Sequence, residues 1–246
     1  MYYEEYGDIS KPTIVFLHCA AIVEIYLNQY NLSNRYHIIV PHLYGSGKEV
    51  ETDYEFYKNE KDIATIIKKL NKESVYIVGH SGGANLAVAL VSHYPELFNR
   101  AIISSPMIDK TDKIAYRKAK YVSLMHRIVK TKFVAKIFVK ILSISDKKRA
   151  QFFMDYWCKI SKKTWINYYT DRLTFEKCPE YKNINVPILY LCGTKEIKEI
   201  KETVSKLNAL NPYSSVKYLD GVGHEHPIKK KEELQKNILC FFKCNE

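Results

Sequence analysis

The chain has 246 residues, 46% of them hydrophobic, and 38 Lys and Arg against 27 Asp and Glu give a formal net charge of +11. That length is enough to bury one large core, and that apolar fraction excludes a disordered chain. The start, Met1-Tyr2-Tyr3-Glu4-Glu5, has neither a basic head nor an apolar stretch, so no secretory signal is expected. Cys19, Cys158, Cys178, Cys192, Cys240 and Cys244 show no Cys-x-x-Cys spacing and read as reduced thiols of a cytoplasmic protein.

In chain order, Thr52-Asp53-Tyr54-Glu55 has the spacing of a capping box, and Ile63, Ile66, Ile67 and Leu70 then recur on one helical face. Ser74-Val75-Tyr76-Ile77-Val78 reads as a buried strand, and the segment from Ala84 to Val91 reads as a helix. Between them stands Gly79-His80-Ser81-Gly82-Gly83, a serine between glycines two residues away on each side. A serine at such a strand-to-helix corner requires a strained backbone, which glycines at 79 and 83 relieve of collisions. The arrangement holds up a hydroxyl beside the amide of Gly82 and the start of a helix. Residues 74–95 carry no charge, yet three glycines and the polar His80, Ser81 and Asn85 point to a central strand and its helix rather than a membrane span.

Asn99-Arg100-Ala101-Ile102-Ile103-Ser104-Ser105 is the next expected strand, after which strand-helix alternation lapses until about Asn185. In the gap Val122, Met125, Val129, Phe133, Ile137 and Ile141 follow helical spacing with lysines between them, and a second helical stretch carries Phe152, Phe153, Tyr156, Trp157, Trp165, Tyr168 and Tyr169. These aromatics are read chiefly as sealing the insertion onto the core. Alternation resumes with the strand from Pro187 to Gly193, which runs into Thr194-Lys195-Glu196. The strand from Ser215 to Asp220 leads to Gly221-Val222-Gly223-His224, and Leu234, Ile238 and Phe241 mark a final packed helix. Serine, acid and histidine thus follow in the chain order of a nucleophile elbow and its partners.

With these residues in place the chain resembles the α/β-hydrolase superfamily over nearly its whole length outside the middle third. Tyr2-Tyr3-Glu4-Glu5-Tyr6-Gly7 is similar to the family's first hairpin, and Thr13-Ile14-Val15-Phe16-Leu17-His18 to the strand ending in its oxyanion turn. The strand and glycine turn that follow match Tyr36 to Gly47. The resemblance implies a doubly wound, mostly parallel sheet: residues 1–105 and 186–246 form the core, and residues 106–185 an inserted helical cap. It also implies Ser81 as nucleophile, His224 as base, Glu196 as acid with Asp109 as the alternative, and amides of Ala20 and Gly82 as the oxyanion hole. Two departures stand out: Cys19 occupies the usual glycine of the oxyanion turn and leaves its own amide as a rival to that of Ala20, and Glu196 replaces the usual aspartate. His18 and His80 are assigned structural places in their turns.

Other chemistries fail on their own terms. Gly45-Ser46-Gly47-Lys48 lacks the Ser/Thr and first glycine of a phosphate loop, and His224 and His226 lack a third metal ligand at sensible spacing. No metal or organic cofactor is expected, and nothing resembles a nucleic-acid-binding module. The expected partner is a small-molecule acyl substrate; the basic insertion suits weak association with anionic lipid surfaces, although a solvated lysine-rich face is the plainer reading. The favoured reading is a serine esterase, with a ligand sensor without turnover, or a lysophospholipase or thioesterase at lipid surfaces, as alternatives.

Overall fold

A computed structural model describes residues 1–108 and 112–242, and Asp109 and Cys244 lie outside them. Among the described residues seven strands, β1 (Tyr3–Tyr6), β2 (Thr13–Leu17), β3 (His37–Pro41), β4 (Val75–His80), β5 (Arg100–Ser104), β6 (Ile188–Gly193) and β7 (Ser214–Leu219), build one sheet in the order β1-β3-β2-β4-β5-β6-β7. All neighbours run parallel except β1, which pairs antiparallel with β3 through Tyr3 and Pro41. The opening segment is therefore an edge strand on β3 and not half of a hairpin with β2.

Strands buried on both faces explain the long apolar runs of the sequence. Val15 and Leu17 of β2 face one core, which includes Ile63 and Ile67 of α1 (Phe56–Leu70), Leu86 and Leu90 of α2 (Gly82–His93), and Val204 and Leu207 of the helix Lys198–Leu210. Ile14 and Phe16 face the opposite core, closed by the helical turns of Val23–Asn34 and by Leu234 and Ile238 of the last helix, Lys231–Phe241. Each such side chain removed from water contributes about 1.5–3 kcal/mol.

The capping box is not used. Thr52 lies in a bend and Glu55 is extended, helix α1 begins at Phe56, and its first amide is held by Asp171 Oδ2 at 2.7 Å. A carboxylate from a distant segment thus does the work of a local cap and suits the positive end of the helix dipole. At the other end Asn71 takes φ +49° and returns its N–H to the Lys68 carbonyl, a left-handed stop that asparagine tolerates.

Between β5 and β6 the chain leaves the sheet, and the described residues there form four α-helices, α3 (Asp112–Val129), α4 (Lys132–Ile141), α5 (Lys147–Lys159) and α6 (Lys162–Thr170). Each of the two expected helical stretches is broken by a turn, at Thr131 and at Ser161, whose side chains cap α4 and α6. α3 packs on α6 and α4 on α5. Phe153, Tyr156 and Trp157 of α5 and Trp165 of α6 are buried, so four of the seven aromatics seal the insertion. The apolar stripe of α3 does not continue inward through α4: Phe133, Ile137 and Ile141 face solvent.

Candidate functional site

Strand order reverses between β2 and β4, because β3 lies to one side and all later strands to the other. Such a switch point opens a crevice at the carboxyl ends of the strands, where His18 follows β2 and Ser81 follows β4. Ser81 has φ +55° and ψ −115°, a conformation that costs about 1–3 kcal/mol and persists because its surroundings fix it. Its amide donates to the Ser104 carbonyl at 3.0 Å, and its carbonyl receives the Asn85 N–H at 3.1 Å. A Cβ on Gly79 would approach the Gly83 carbonyl oxygen to 2.4 Å, and one on Gly83 would approach that of Leu17 to 2.1 Å. Both glycines are therefore required by close backbone contact.

Ser81, His224 and Glu196 come together from three separate turns. His224 Nε2 lies 2.9 Å from Ser81 Oγ, and His224 Nδ1 lies 3.0 Å from Glu196 Oε1. The acid and histidine turns are zipped to one another: Lys195 donates to the Val222 carbonyl at 2.8 Å and Thr194 to that of Leu219 at 2.9 Å. Glu196 also accepts from Ser105 Oγ at 2.5 Å. Burial opposes its charge, but the hydrogen bonds from His224 and Ser105 prevail and hold the carboxyl below its ordinary value. Asp109, the other candidate acid, falls outside the described residues.

The oxyanion turn follows His18 at the end of β2. The left-handed position is Ala21, with φ +65°, and Cys19 is a buried thiol whose carbonyl accepts from Ile22 at 3.2 Å. The amide nitrogen of Ala20 is the nearest atom to Gly82 across the crevice, 3.4 Å from where a Cβ of that glycine would stand. Both residues line a narrow cavity with Leu43, Tyr168 and Arg172. His18 braces this turn: its Nε2 accepts the Leu43 N–H at 3.0 Å, which leaves Nδ1 to donate to the Cys19 carbonyl at 2.7 Å.

Beneath Ser81 lies a polar layer that the sequence did not disclose. His80 packs 4.8 Å from the His224 ring and 5.1 Å from that of His226, and the Ser104 hydroxyl joins His80 Nδ1 at 3.0 Å to His226 Nε2 at 2.7 Å. Only the paired occurrence of His224 and His226 hinted at it. Among the described residues no group of three His, Cys, Asp or Glu is placed to hold a metal ion.

A second network fixes the oxyanion turn from behind. Arg149 of α5 bridges Glu4 at 2.6 Å and Glu24 at 3.0 Å, while the Tyr156 hydroxyl donates to Glu24 Oε2 at 2.6 Å and contacts the Ala21 carbonyl at 3.2 Å. Burial raises Glu24 despite its Arg149 partner.

The buried histidines set an acid limit on stability. Burial pushes His18 down to about 3 and His226 to about 4, and it holds His80 well below the ordinary imidazole value with the neighbouring imidazoles adding to the effect. The unfolded chain, titrating near pH ~6.5, binds these protons first, so stability is lost as pH falls from there toward the folded values. With all three neutral in the fold, they are expected to contribute up to about 4 kcal/mol per pH unit to the slope of urea unfolding between about pH 6 and 5, and His226→Asn to reduce the slope by about 1.4. An unchanged slope in that variant would place a proton on folded His226.

A mostly parallel sheet with a serine elbow, and with acid and histidine turns at its carboxyl edge, defines the class of hydrolases built on a doubly wound sheet. Residues 12–230 match the alpha/beta hydrolase fold family, and the chain belongs to it. Among solved structures it is similar to a carboxylesterase of the thaumarchaeon Nitrososphaera gargenis, at TM-score 0.76 and 18% identity over 98% of this chain and 93% of that one. It is also similar to MenH from S. aureus, at TM-score 0.74 and 18% identity over 97% of each chain. A third likeness is to E-2-(acetamidomethylene)succinate hydrolase, at TM-score 0.70 and 19% identity over 98% of this chain and 94% of that one. At these identities the likeness carries the fold.

Proposed function

We propose that this protein is a serine hydrolase that cleaves a carboxylic ester or related acyl bond through an acyl-serine intermediate. The observation that carries the reading is the unbroken run of contacts from Ser81 Oγ through His224 to Glu196 Oε1. Ser81 Oγ attacks the acyl carbon and gives its proton to His224 Nε2, while Glu196 orients the ring and stabilises its charged form. Amides of Gly82 and Ala20 receive the oxyanion, each donor being worth about 3 kcal/mol in comparable sites. Collapse expels the alcohol, which takes the proton from His224. Water then attacks the acyl-serine, passes a proton to His224, and releases the acid as Ser81 is reprotonated. This route uses only the chain's own groups, with α3 to α6 serving as the cap over the serine. The free thiols of Cys19, Cys158, Cys178, Cys192 and Cys240 favour a cytoplasmic setting.

A panel of p-nitrophenyl esters, acyl thioesters and aminoacyl amides tests the reading. Steady turnover of at least one ester is expected; labelling by a fluorophosphonate without turnover on any member would instead indicate a binding protein on the hydrolase scaffold.

Tyr156 acts in this scheme as a positioning residue, through Ala21 and Glu24. Tyr156→Phe is expected to lower kcat about tenfold with KM little changed, because a displaced Ala20 amide weakens only the transition state, and to cost about 1–3 kcal/mol of stability by depriving buried Glu24 of a partner. A rise in KM at constant kcat would assign the tyrosine to substrate binding.

A further inference from the structure

We propose that the outer face of α3 and α4 docks on a bilayer bearing anionic headgroups. Residues 113–145 contain nine Lys and Arg and not one Asp or Glu. On α3, Tyr121, Leu124 and Ile128 recur at three- and four-residue spacing and are exposed, Leu124 to 74%; on α4, Phe133, Ile137 and Ile141 recur every four residues and are exposed, Phe133 again to 74%. Exposed Lys120 and Arg127 stand beside the first row, and exposed Lys136 and Lys140 beside the second. Large apolar side chains with cations at their flanks are the composition of a surface that sinks shallowly among headgroups.

The contrast with the rest of the insertion makes this face specific. Of the six cations of α5 and α6, three have carboxylate partners, Arg149 with Glu4 and Glu24, Lys159 with Glu51, and Lys163 with Asp53. Among the described side chains no ion pair engages a Lys or Arg from Arg117 to Lys140, so their charge is left for an external partner. A second copy of the chain would bring two such cationic faces together, which repel. A phosphate backbone would match the charge but leave the aliphatic Leu124, Ile128, Ile137 and Ile141 without apolar cover. An anionic bilayer satisfies both. No helix among the described residues is long and apolar enough to cross a membrane, so the attachment is to the surface. The proposal stands independently of the hydrolase reading.

The test is flotation of the full chain with vesicles of phosphatidylcholine alone and of phosphatidylcholine with one third phosphatidylglycerol. Binding is expected on the anionic vesicles only and should fall at least about tenfold when salt is raised from ~50 to ~500 mM. Lys136→Glu and Lys140→Glu are each expected to weaken partition at least about fivefold, since one lysine near such a surface contributes about that factor. Leu124→Ser with Phe133→Ser should weaken it at any salt concentration, with circular dichroism unchanged. Equal binding to both vesicle types, no binding at low salt, retention of binding by the serine variant, or a dimer in light scattering that fails to float would overturn the proposal.

Discussion

Replacing Ser81 by alanine is expected to lower kcat on an activated ester by roughly 10⁶-fold and to abolish fluorophosphonate labelling, because removal of the attacking atom leaves only binding and oxyanion stabilisation. The fold should survive, since the elbow is held by the backbone bonds of Ser81 to Ser104 and Asn85 rather than by its hydroxyl. The informative control is Ser104, which also touches an imidazole, His226 Nε2 at 2.7 Å, within reach of Ser105 and Glu196. On contacts alone Ser104, His226 and Glu196 are a rival constellation. Burial decides between them. Ser104 is 1% exposed and His226 fully buried, with the His80 ring against them, so an acyl carbon has no approach to that hydroxyl. Ser81, in contrast, stands at the crevice beside the Gly82 amide, and the His224 side chain is 47% exposed. Ser104→Ala should therefore reduce kcat by a far smaller factor than Ser81→Ala, while weakening the fold through the lost bonds to His80 and His226. Equal losses in the two variants, with both folded, would move the nucleophile to position 104.

Local backbone demands were legible in the sequence, and cooperation between distant segments was not. The elbow could be read because Gly79 and Gly83 each face a carbonyl that excludes a Cβ, a constraint that leaves its mark on residue type. The parallel strands could be read because burial on both faces yields uninterrupted apolar runs such as Ile14 to Leu17 and Tyr76 to Val78. The start of α1 was misread because its cap comes from Asp171, more than a hundred residues away, and no local spacing reveals that. Likewise the Glu4, Glu24, Arg149 and Tyr156 network joins the first strand to α5, and the Ser104 bridge joins two histidines from different turns. The helical period across 122–141 was correct for α3, but the turn at Thr131 re-aims everything after it, so an apparently continuous stripe becomes an exposed row.

Glu196→Gln is expected to lower kcat by about 10⁴-fold while preserving shape, on the reasoning that the carboxylate fixes which nitrogen of His224 carries the proton. Glu196 Oε1 accepts at 3.0 Å from Nδ1, so the lone pair on Nε2 faces Ser81 Oγ at 2.9 Å and can take its proton. A glutamine can turn its NH₂ toward Nδ1, which puts the imidazole proton on Nε2 and leaves nothing there to accept. Ser105 Oγ donates at 2.5 Å to the same Oε1, so it would then face the NH₂ and can turn its hydroxyl to accept from it, which makes the loss one of chemistry more than of folding. The carboxyl, held below its ordinary value, adds stability that is present above the unfolded value of ~4.3 and lost as pH falls through the folded one; the glutamine variant should lack that dependence. Asp109→Asn supplies the opposing arm. Retained activity in Asp109→Asn beside a collapse in Glu196→Gln, read as kcat on the same ester, assigns the acid to the turn after β6; the reverse pattern would assign it to the segment after β5 and reduce Glu196 to a structural partner of Ser105.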